Sequence, residues 1–417
     1  MIKIWRLISL LGVLCVVSAL FYSCSEDNRE LIIASPEPNP KALHIAGESR
    51  RVLLLYSAGF NNLNGDLKTN ISELEEGFVP KGGRNDNVLL VFSHNFRENS
   101  GYNTPNPPVL FRIYRKGSAV IRDTVKVFGI SDTAVDTGLM KEVLTYVKDN
   151  IPAKSYGMIY SSHGTGWLPP GYYASNNSSH YNFSRKRAIG AHQISRTNMI
   201  ETDIADFARA FPMRMEYVIF DACLMGGVEF AYEMKDACRY FGASPAEIPA
   251  GGFNYKTLGE RLLGGLKPDM RGVCEDYYER YKDDKTYGAT ISLIDCGQLD
   301  SLAGICARLF EKYRAGIASV NISDLQRFYR DNKSWFFDLG DILVKSGINE
   351  AEELALNESF DLCMVYRAHT PGFMKTYGGF DIKSYCGVSS YLPKSGNEKL
   401  DSYYRSLKWN MATSFVK

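Results

Sequence analysis

Short, unbroken apolar runs constrain this chain more than any other feature. Val52–Tyr56 and Val88–Phe92 are the clearest, and Met158–Ser161 and Val218–Phe220 follow the same form. A run this short, with no polar alternation, is what a strand buried on both faces of a parallel sheet requires. Between the runs the spacing turns helical. Leu67, Ile71 and Leu74 share one face of a helix at about 66–76. Leu139, Val143, Tyr146 and Val147 share another, and Ile200, Ile204, Phe207 and Phe211 a third, ended by Pro212. A further helix is expected over Gly227–Cys238. Val109–Tyr114 and Thr124–Phe128 read as strands that are shorter or nearer an edge. This alternation predicts an α/β fold, with a mostly parallel sheet covered by helices on both faces. In such sheets the reactive groups sit at the carboxyl ends of strands.

Two strand ends carry suitable chemistry. The run at 156–161 leads straight into Ser162-His163-Gly164-Thr165-Gly166-Trp167. A histidine presented at the sheet rim can serve as a general base, and Gly164 lets the backbone approach a ligand closely. The run at 217–220 delivers Asp221-Ala222-Cys223 to the same rim. An expected helix N-terminus after Cys223, with His163 as neighbour, would favour the thiolate. A thiolate, an imidazole and backbone N–H donors suffice for acyl transfer. Each half alone is weak, because a strand-end histidine or a cysteine after an apolar run is commonly structural. The pair in the order His then Cys, 60 residues apart on successive strands, is far more specific.

Those residues resemble the clostripain-type cysteine peptidases, relatives of caspases and gingipains. The matching stretches are His163-Gly164 with Gly166-Trp167, and Phe220-Asp221-Ala222-Cys223-Leu224-Met225 with Glu229 and Ala231-Tyr232. Supporting matches are Tyr56 to Leu63 with its Asn61-Asn62-Leu63 turn, Ala153-Lys154, Ser292 to Asp295 and Gly387 to Pro393. The resemblance covers about 51–395. It implies a caspase-like three-layer αβα sandwich over 49–265 and a cysteine endopeptidase. It implies a dyad of Cys223 as nucleophile and His163 as base and then acid, with Gly164 and Cys223 N–H groups as oxyanion hole. No third orienting carboxylate is visible. His44, His94, His180, His192 and His369 read as surface or structural.

Clostripain-type enzymes cut after Arg or Lys and line the substrate pocket with acids. Asp221 matches one such position, its alternative role being a helix cap. Where relatives carry Trp-Asp-Tyr, this chain has Phe253-Asn254-Tyr255. Asn254 would hydrogen-bond a basic side chain without pairing its charge, so strict arginine specificity does not follow. Glu247, in the same loop, is a candidate to compensate. The polar stretch 168–195 holds Ser184-Arg185-Lys186-Arg187-Ala188, either a solvated basic loop or a self-cleaved activation loop with Arg187–Ala188 as the bond. The alternative function is a non-catalytic binding lipoprotein on the same scaffold.

The ends of the chain read differently. Lys3 and Arg6 precede an apolar stretch, Leu7–Leu20, of 14 residues. That is short of the ~20 needed to span a bilayer and suits a signal peptide. Ser23-Cys24 just beyond it resembles a bacterial lipobox. This predicts a signal peptide over 1–23, lipidation at Cys24, and a proline-bearing tether over 24–48. The expected location is exported: an outer-membrane lipoprotein on the cell surface or periplasmic face. Residues 266–417 read as a smaller α/β subdomain, with a strand at Ala289–Ile294 and a helix at Leu299–Tyr313. Its late strands are candidates to complete the main sheet. With 48 Lys+Arg against 47 Asp+Glu, the charge balance argues against nucleic-acid coating. Seven cysteines beyond Cys24 are an odd number, so at least one is unpaired, and Cys306 and Cys363 sit in apolar runs that suit burial. No His-Glu-x-x-His or C-x-x-C pattern marks a metal site, and no cofactor is expected; calcium dependence, known in some relatives, and oligomeric state are not legible. The expected partners are a peptide or protein substrate and the membrane, through the lipid anchor.

Overall fold

All four apolar runs lie in one nine-stranded sheet. Its strands are β1 Ser49–Ala58, β2 Val88–His94, β3 Val109–Lys116, β4 Ala119–Val127, β5 Ala153–Ser161, β6 Met215–Asp221, β7 Cys238–Ala243, β8 Thr290–Asp295 and β9 Met364–His369. The spatial order is β9-β8-β7-β6-β5-β1-β2-β3-β4. The central five, β7-β6-β5-β1-β2, are parallel, and the strands added at either edge are antiparallel. The computed structural model describes residues 49–83, 85–96, 105–129, 136–172, 189–193, 199–330, 335–394 and 397–417. Cys24, the tether, Arg187 and Ala188 lie outside the described residues.

The unbroken runs have the two-sided burial that their composition demands. Val52, Leu54 and Tyr56 of β1 face one core, together with Leu139, Val143 and Val147 of helix α1 (Thr137–Asn150). Leu53 and Leu55 face the other core, with Ile71 and Leu74 of the helix Asn64–Glu76 and Val273 and Tyr277 of the helix Met270–Tyr281. Each such side chain contributes about 1.5–3 kcal/mol by leaving water. Helix α1 starts where Asp136 accepts the Gly138 N–H (2.7 Å), a side-chain cap for an otherwise orphan donor.

Two helix boundaries differ from expectation. Ile200 belongs to the strand Met199–Thr202, and the helix begins only at Ile204. Asp203 sets that start by accepting the Ala205 and Asp206 N–H groups. The expected helix 227–238 is cut to seven residues, α2 Val228–Met234, and Cys238 opens β7 instead. Pairing of Cys238 with Met215 and of Phe241 with Val218 extends the sheet, and this outweighs local helical preference. The sheet also crosses the expected boundary at 265/266, because β8 and β9 come from beyond it. The seven described cysteines are all buried, and no disulfide joins any two of them. Burial pushes the thiols of Cys274, Cys306 and Cys363 well up, which keeps them protonated.

Candidate active site

Strands β5 and β6 are direct neighbours, with Ser161 opposite Asp221 at their ends. The histidine loop and the cysteine loop therefore leave the sheet side by side. The Ser162 hydroxyl donates to the Ala58 carbonyl (2.9 Å), tying the histidine loop to the end of β1. Gly164 stands against the cysteine loop so closely that a Cβ there would lie 2.3 Å from the Cys223 carbonyl oxygen. Gly166, at φ +64°, would set a Cβ 2.6 Å from the Leu224 carbonyl oxygen. The close backbone approach expected of Gly164 is thus an approach to the neighbouring loop. It brings the residues flanking His163 and Cys223 together.

The cysteine loop is pinned from its other side. Leu224 takes a left-handed backbone, φ 63°, which is uncommon for a leucine. Its N–H donates to the Ala246 carbonyl (2.8 Å), and the Gly226 N–H donates to the Ser244 carbonyl (2.8 Å). Cys223 Sγ then lies 3.4 Å from the Ile248 nitrogen and 3.7 Å from the Ile248 oxygen. Ile248 thereby offers a donor to a thiolate and an acceptor to a thiol. The helix expected to polarise Cys223 does not abut it: α2 begins at Val228, with Gly227 at its cap. The intervening turn is needed to pack the loop on residues 244–248.

His163 is buried, and its Nε2 lies 2.7 Å from Asn62 Oδ1. An amide oxygen only accepts, so this bond puts the ring proton on Nε2 and leaves Nδ1 basic. Asn61 shapes the turn that presents Asn62. Its side chain donates to the Ala58 carbonyl (3.0 Å) and accepts the Leu63 N–H (2.9 Å). Sequence reasoning sought a carboxylate and passed over Asn62. The signal was the Asn61-Asn62-Leu63 turn placed at the end of the strand beside the histidine strand.

His163 and Cys223 line one cavity of about 170 Å³, together with Asp221, Glu247 and Arg330. Asp221 is not the helix cap considered above. Its Oδ2 accepts the Tyr255 hydroxyl (2.6 Å) and the Ser161 hydroxyl (3.2 Å). Burial pushes its carboxyl up to about 6, against the pull of those hydrogen bonds and of the Arg280 charge. Asn254 is not part of the cavity lining. Its carbonyl accepts the Thr257 N–H and hydroxyl, and it precedes the short helix Tyr255–Gly259. Its neighbour Tyr255 instead hydrogen-bonds Asp221 at the cavity wall. His94 stacks on Phe60 (5.3 Å), and His369 Nδ1 lies 2.9 Å from the Thr370 carbonyl oxygen, both structural settings. Among the described residues no group of three or more His, Cys, Asp or Glu side chains is placed to hold a metal ion.

The clostripain family, Peptidase C11, matches residues 55–405. Clostripain of Hathewaya histolytica is 23% identical over 228 residues, a match spanning 51% of this chain and only 42% of that protein. An inactive zymogen C11 protease from Parabacteroides distasonis is 26% identical with a TM-score of 0.74, covering 88% of this chain and 99% of that one. A secreted C11 cysteine protease from Bacteroides thetaiotaomicron, solved with an irreversible peptide inhibitor, is 25% identical with a TM-score of 0.71 over the same shares, 88% and 99%. The matched span contains both loops and the cavity between them, so the chain belongs to the clostripain family of cysteine peptidases and has their caspase-like α/β fold.

Proposed function

We propose that this chain is a cysteine endopeptidase in which Cys223 is the nucleophile and His163 the base and then the acid. The observation that carries this is the single cavity lined by both side chains at the ends of adjacent parallel strands. The complex of the Bacteroides relative with an irreversible peptide inhibitor supports the same substrate class here. His163, with Nε2 held by Asn62, takes the Cys223 proton at Nδ1. The thiolate attacks the scissile carbonyl, and the N–H groups of Gly164 and Cys223 receive the oxyanion. His163 then protonates the leaving amine. Next it takes a proton from water as the water attacks the thioester, and returns that proton to Cys223 as the acid product leaves. Asn62 acts as a positioning residue for the ring. Asp221 at the cavity wall favours Arg or Lys on the acyl side of the scissile bond.

A fluorogenic peptide library tests the reading on the whole chain. Cys223→Ala and His163→Ala should each lower kcat by about 10⁴-fold or more; turnover that survives Cys223→Ala would sink the mechanism. Asn62→Ala should lower kcat by about tenfold or more with little change in KM, and should move the acid limb of the kcat–pH profile. An unmoved profile would reduce Asn62 to a loop-shaping residue.

Two further parts rest on sequence. A zymogen among the relatives supports an activation step, for which Arg187–Ala188 is the proposed bond. Mass spectrometry of an active preparation should find two fragments, and an intact active chain would refute self-processing there. Cys24 is the proposed lipid anchor to the outer membrane. Labelled fatty acid should enter the chain and should fail to enter Cys24→Ala.

A further inference from the structure

The substrate cavity holds an ion pair of its own. Arg330 Nη2 lies 2.6 Å from Glu247 Oε1, and the Glu247 side chain is only 5% exposed. The two residues lie 83 positions apart in the chain. Both line the same cavity as Cys223 and His163. Glu247 Oε2 is buried and has no hydrogen-bond partner among the described residues. A buried carboxylate oxygen without a donor is costly, and its cost is relieved by whatever donor enters.

Asp221 is in the opposite condition. The Tyr255 hydroxyl, the Ser161 hydroxyl and the Phe253 backbone N–H already donate to it. An arriving cation gains Coulomb energy from Asp221 but finds its hydrogen-bonding capacity largely taken. At Glu247 the same cation finds an open acceptor. Arg330, 22% exposed, also donates to the Tyr377 carbonyl at 3.4 Å. Its guanidinium is chemically what a substrate arginine would bring to the cavity.

We propose that Glu247 is the residue of this cavity that receives the basic side chain of the substrate, and that Arg330 is a resident cation competing with the substrate for it. The proposal deepens the endopeptidase reading and rests on it for the place of the substrate. It supplies the second acid that Asn254 does not, and it makes preference for basic residues adjustable. With Arg330 in place, two carboxylates are offset by one guanidinium. A substrate arginine therefore meets a weaker field than two acids alone would give.

Equilibrium binding tests this without turnover. On the full chain carrying Cys223→Ala, cut in trans at Arg187–Ala188 because this variant cannot process itself, calorimetry compares two peptides that differ only in arginine or citrulline at the residue before the scissile bond. Citrulline keeps the shape and loses the charge. The arginine peptide should bind about tenfold tighter. Adding Glu247→Gln should reduce that gap to about twofold or less, and adding Arg330→Gln should widen it to about a hundredfold. Adding Asn254→Ala should leave the gap as it was. Thermal melts confirm that each variant is folded. A gap that persists in Glu247→Gln overturns the assignment of Glu247, as does the absence of any gap at the start. A gap that narrows in Arg330→Gln overturns the competitor role, since Arg330 would then be orienting Glu247. Turnover is measured separately on the chain with Cys223 intact. A binding gap without turnover would overturn the peptidase reading and leave Glu247 as the basic-side-chain acceptor.

Discussion

Asp221 and Glu229 lie eight residues apart, on either side of the loop that carries Cys223. Both are buried carboxylates that accept a tyrosine hydroxyl. Burial pushes both up, to about 6 for Asp221 and about 7 for Glu229. On these properties alone they are the same kind of residue. Their surroundings separate them. Asp221 lines the cavity beside Cys223, whereas Glu229 faces the C-terminal segment. Glu229 Oε1 accepts the Tyr391 N–H (2.8 Å), the Ser390 hydroxyl (3.0 Å) and the Tyr404 hydroxyl (2.8 Å). Nearby, the Ser389 N–H donates to the Gly226 carbonyl (3.0 Å). Glu229 therefore fastens the last part of the chain to the back of the cysteine loop. A perturbed carboxylate is a signal of confinement, and only the space in front of it distinguishes recognition from construction.

The largest test of this contrast is Glu229→Ala. It removes the acceptor of three buried donors at once, and should cost about 3 kcal/mol or more in urea unfolding. Peptide discrimination by the molecules that remain folded should be unchanged. Asp221→Asn should act the other way round. The amide oxygen keeps the Tyr255 and Ser161 bonds and only the Phe253 N–H contact is at risk, so the stability loss should be well below that of Glu229→Ala. The lost charge should lower kcat/KM for arginine peptides by about tenfold, with a smaller loss for citrulline peptides. If Asp221→Asn unfolds the protein while Glu229→Ala alters selectivity, the two roles have been assigned the wrong way round.

The same contrast shows what could be read from the sequence. The buried strands were legible because burial on both faces needs unbroken apolar runs, as at Val52–Tyr56 and Val88–Phe92. Strand β9, Met364–His369, was not, because most of it is only partly buried and its residues, Met-Val-Tyr-Arg-Ala-His, carry mixed polarity. His163 and Cys223 were legible because each lies two residues past the end of a buried strand, so local pattern fixed their place. Asn62 was not, because its contact with His163 spans 101 residues and depends on β1 lying beside β5. Arg330 was hidden for the same reason, since its partner Glu247 is 83 residues away. Glu229 could be read as part of a family block, but its partners at 390, 391 and 404 belong to the topology.

The smallest expected effect is also the sharpest, because it separates the two carboxylates by pH. The carboxyl of Glu229 titrates at about 7 in the folded chain against an ordinary 4.5, and that of Asp221 at about 6 against 3.8. Between each pair of values the folded state keeps a proton that the unfolded state has released. Stability from these groups is therefore complete below about pH 4 and is lost as pH rises toward 7. Glu229→Gln keeps a carbonyl oxygen for Tyr391, Ser390 and Tyr404, and places an amide where Oε2 has no partner among the described residues. Urea unfolding at pH 5, 6, 7 and 8 should show wild-type stability falling across the series. Glu229→Gln should fall less steeply and be the more stable protein at pH 8, with the remaining slope ending near pH 6, where Asp221 titrates. Arginine selectivity should behave inversely, weakening below pH 6 as Asp221 takes up its proton, and Glu229→Gln should leave that change untouched. An equal slope in wild type and Glu229→Gln would mean that Glu229 takes up no proton on folding and is ionised in the folded chain as in the unfolded one, and the difference between the two carboxylates would then lie in position alone.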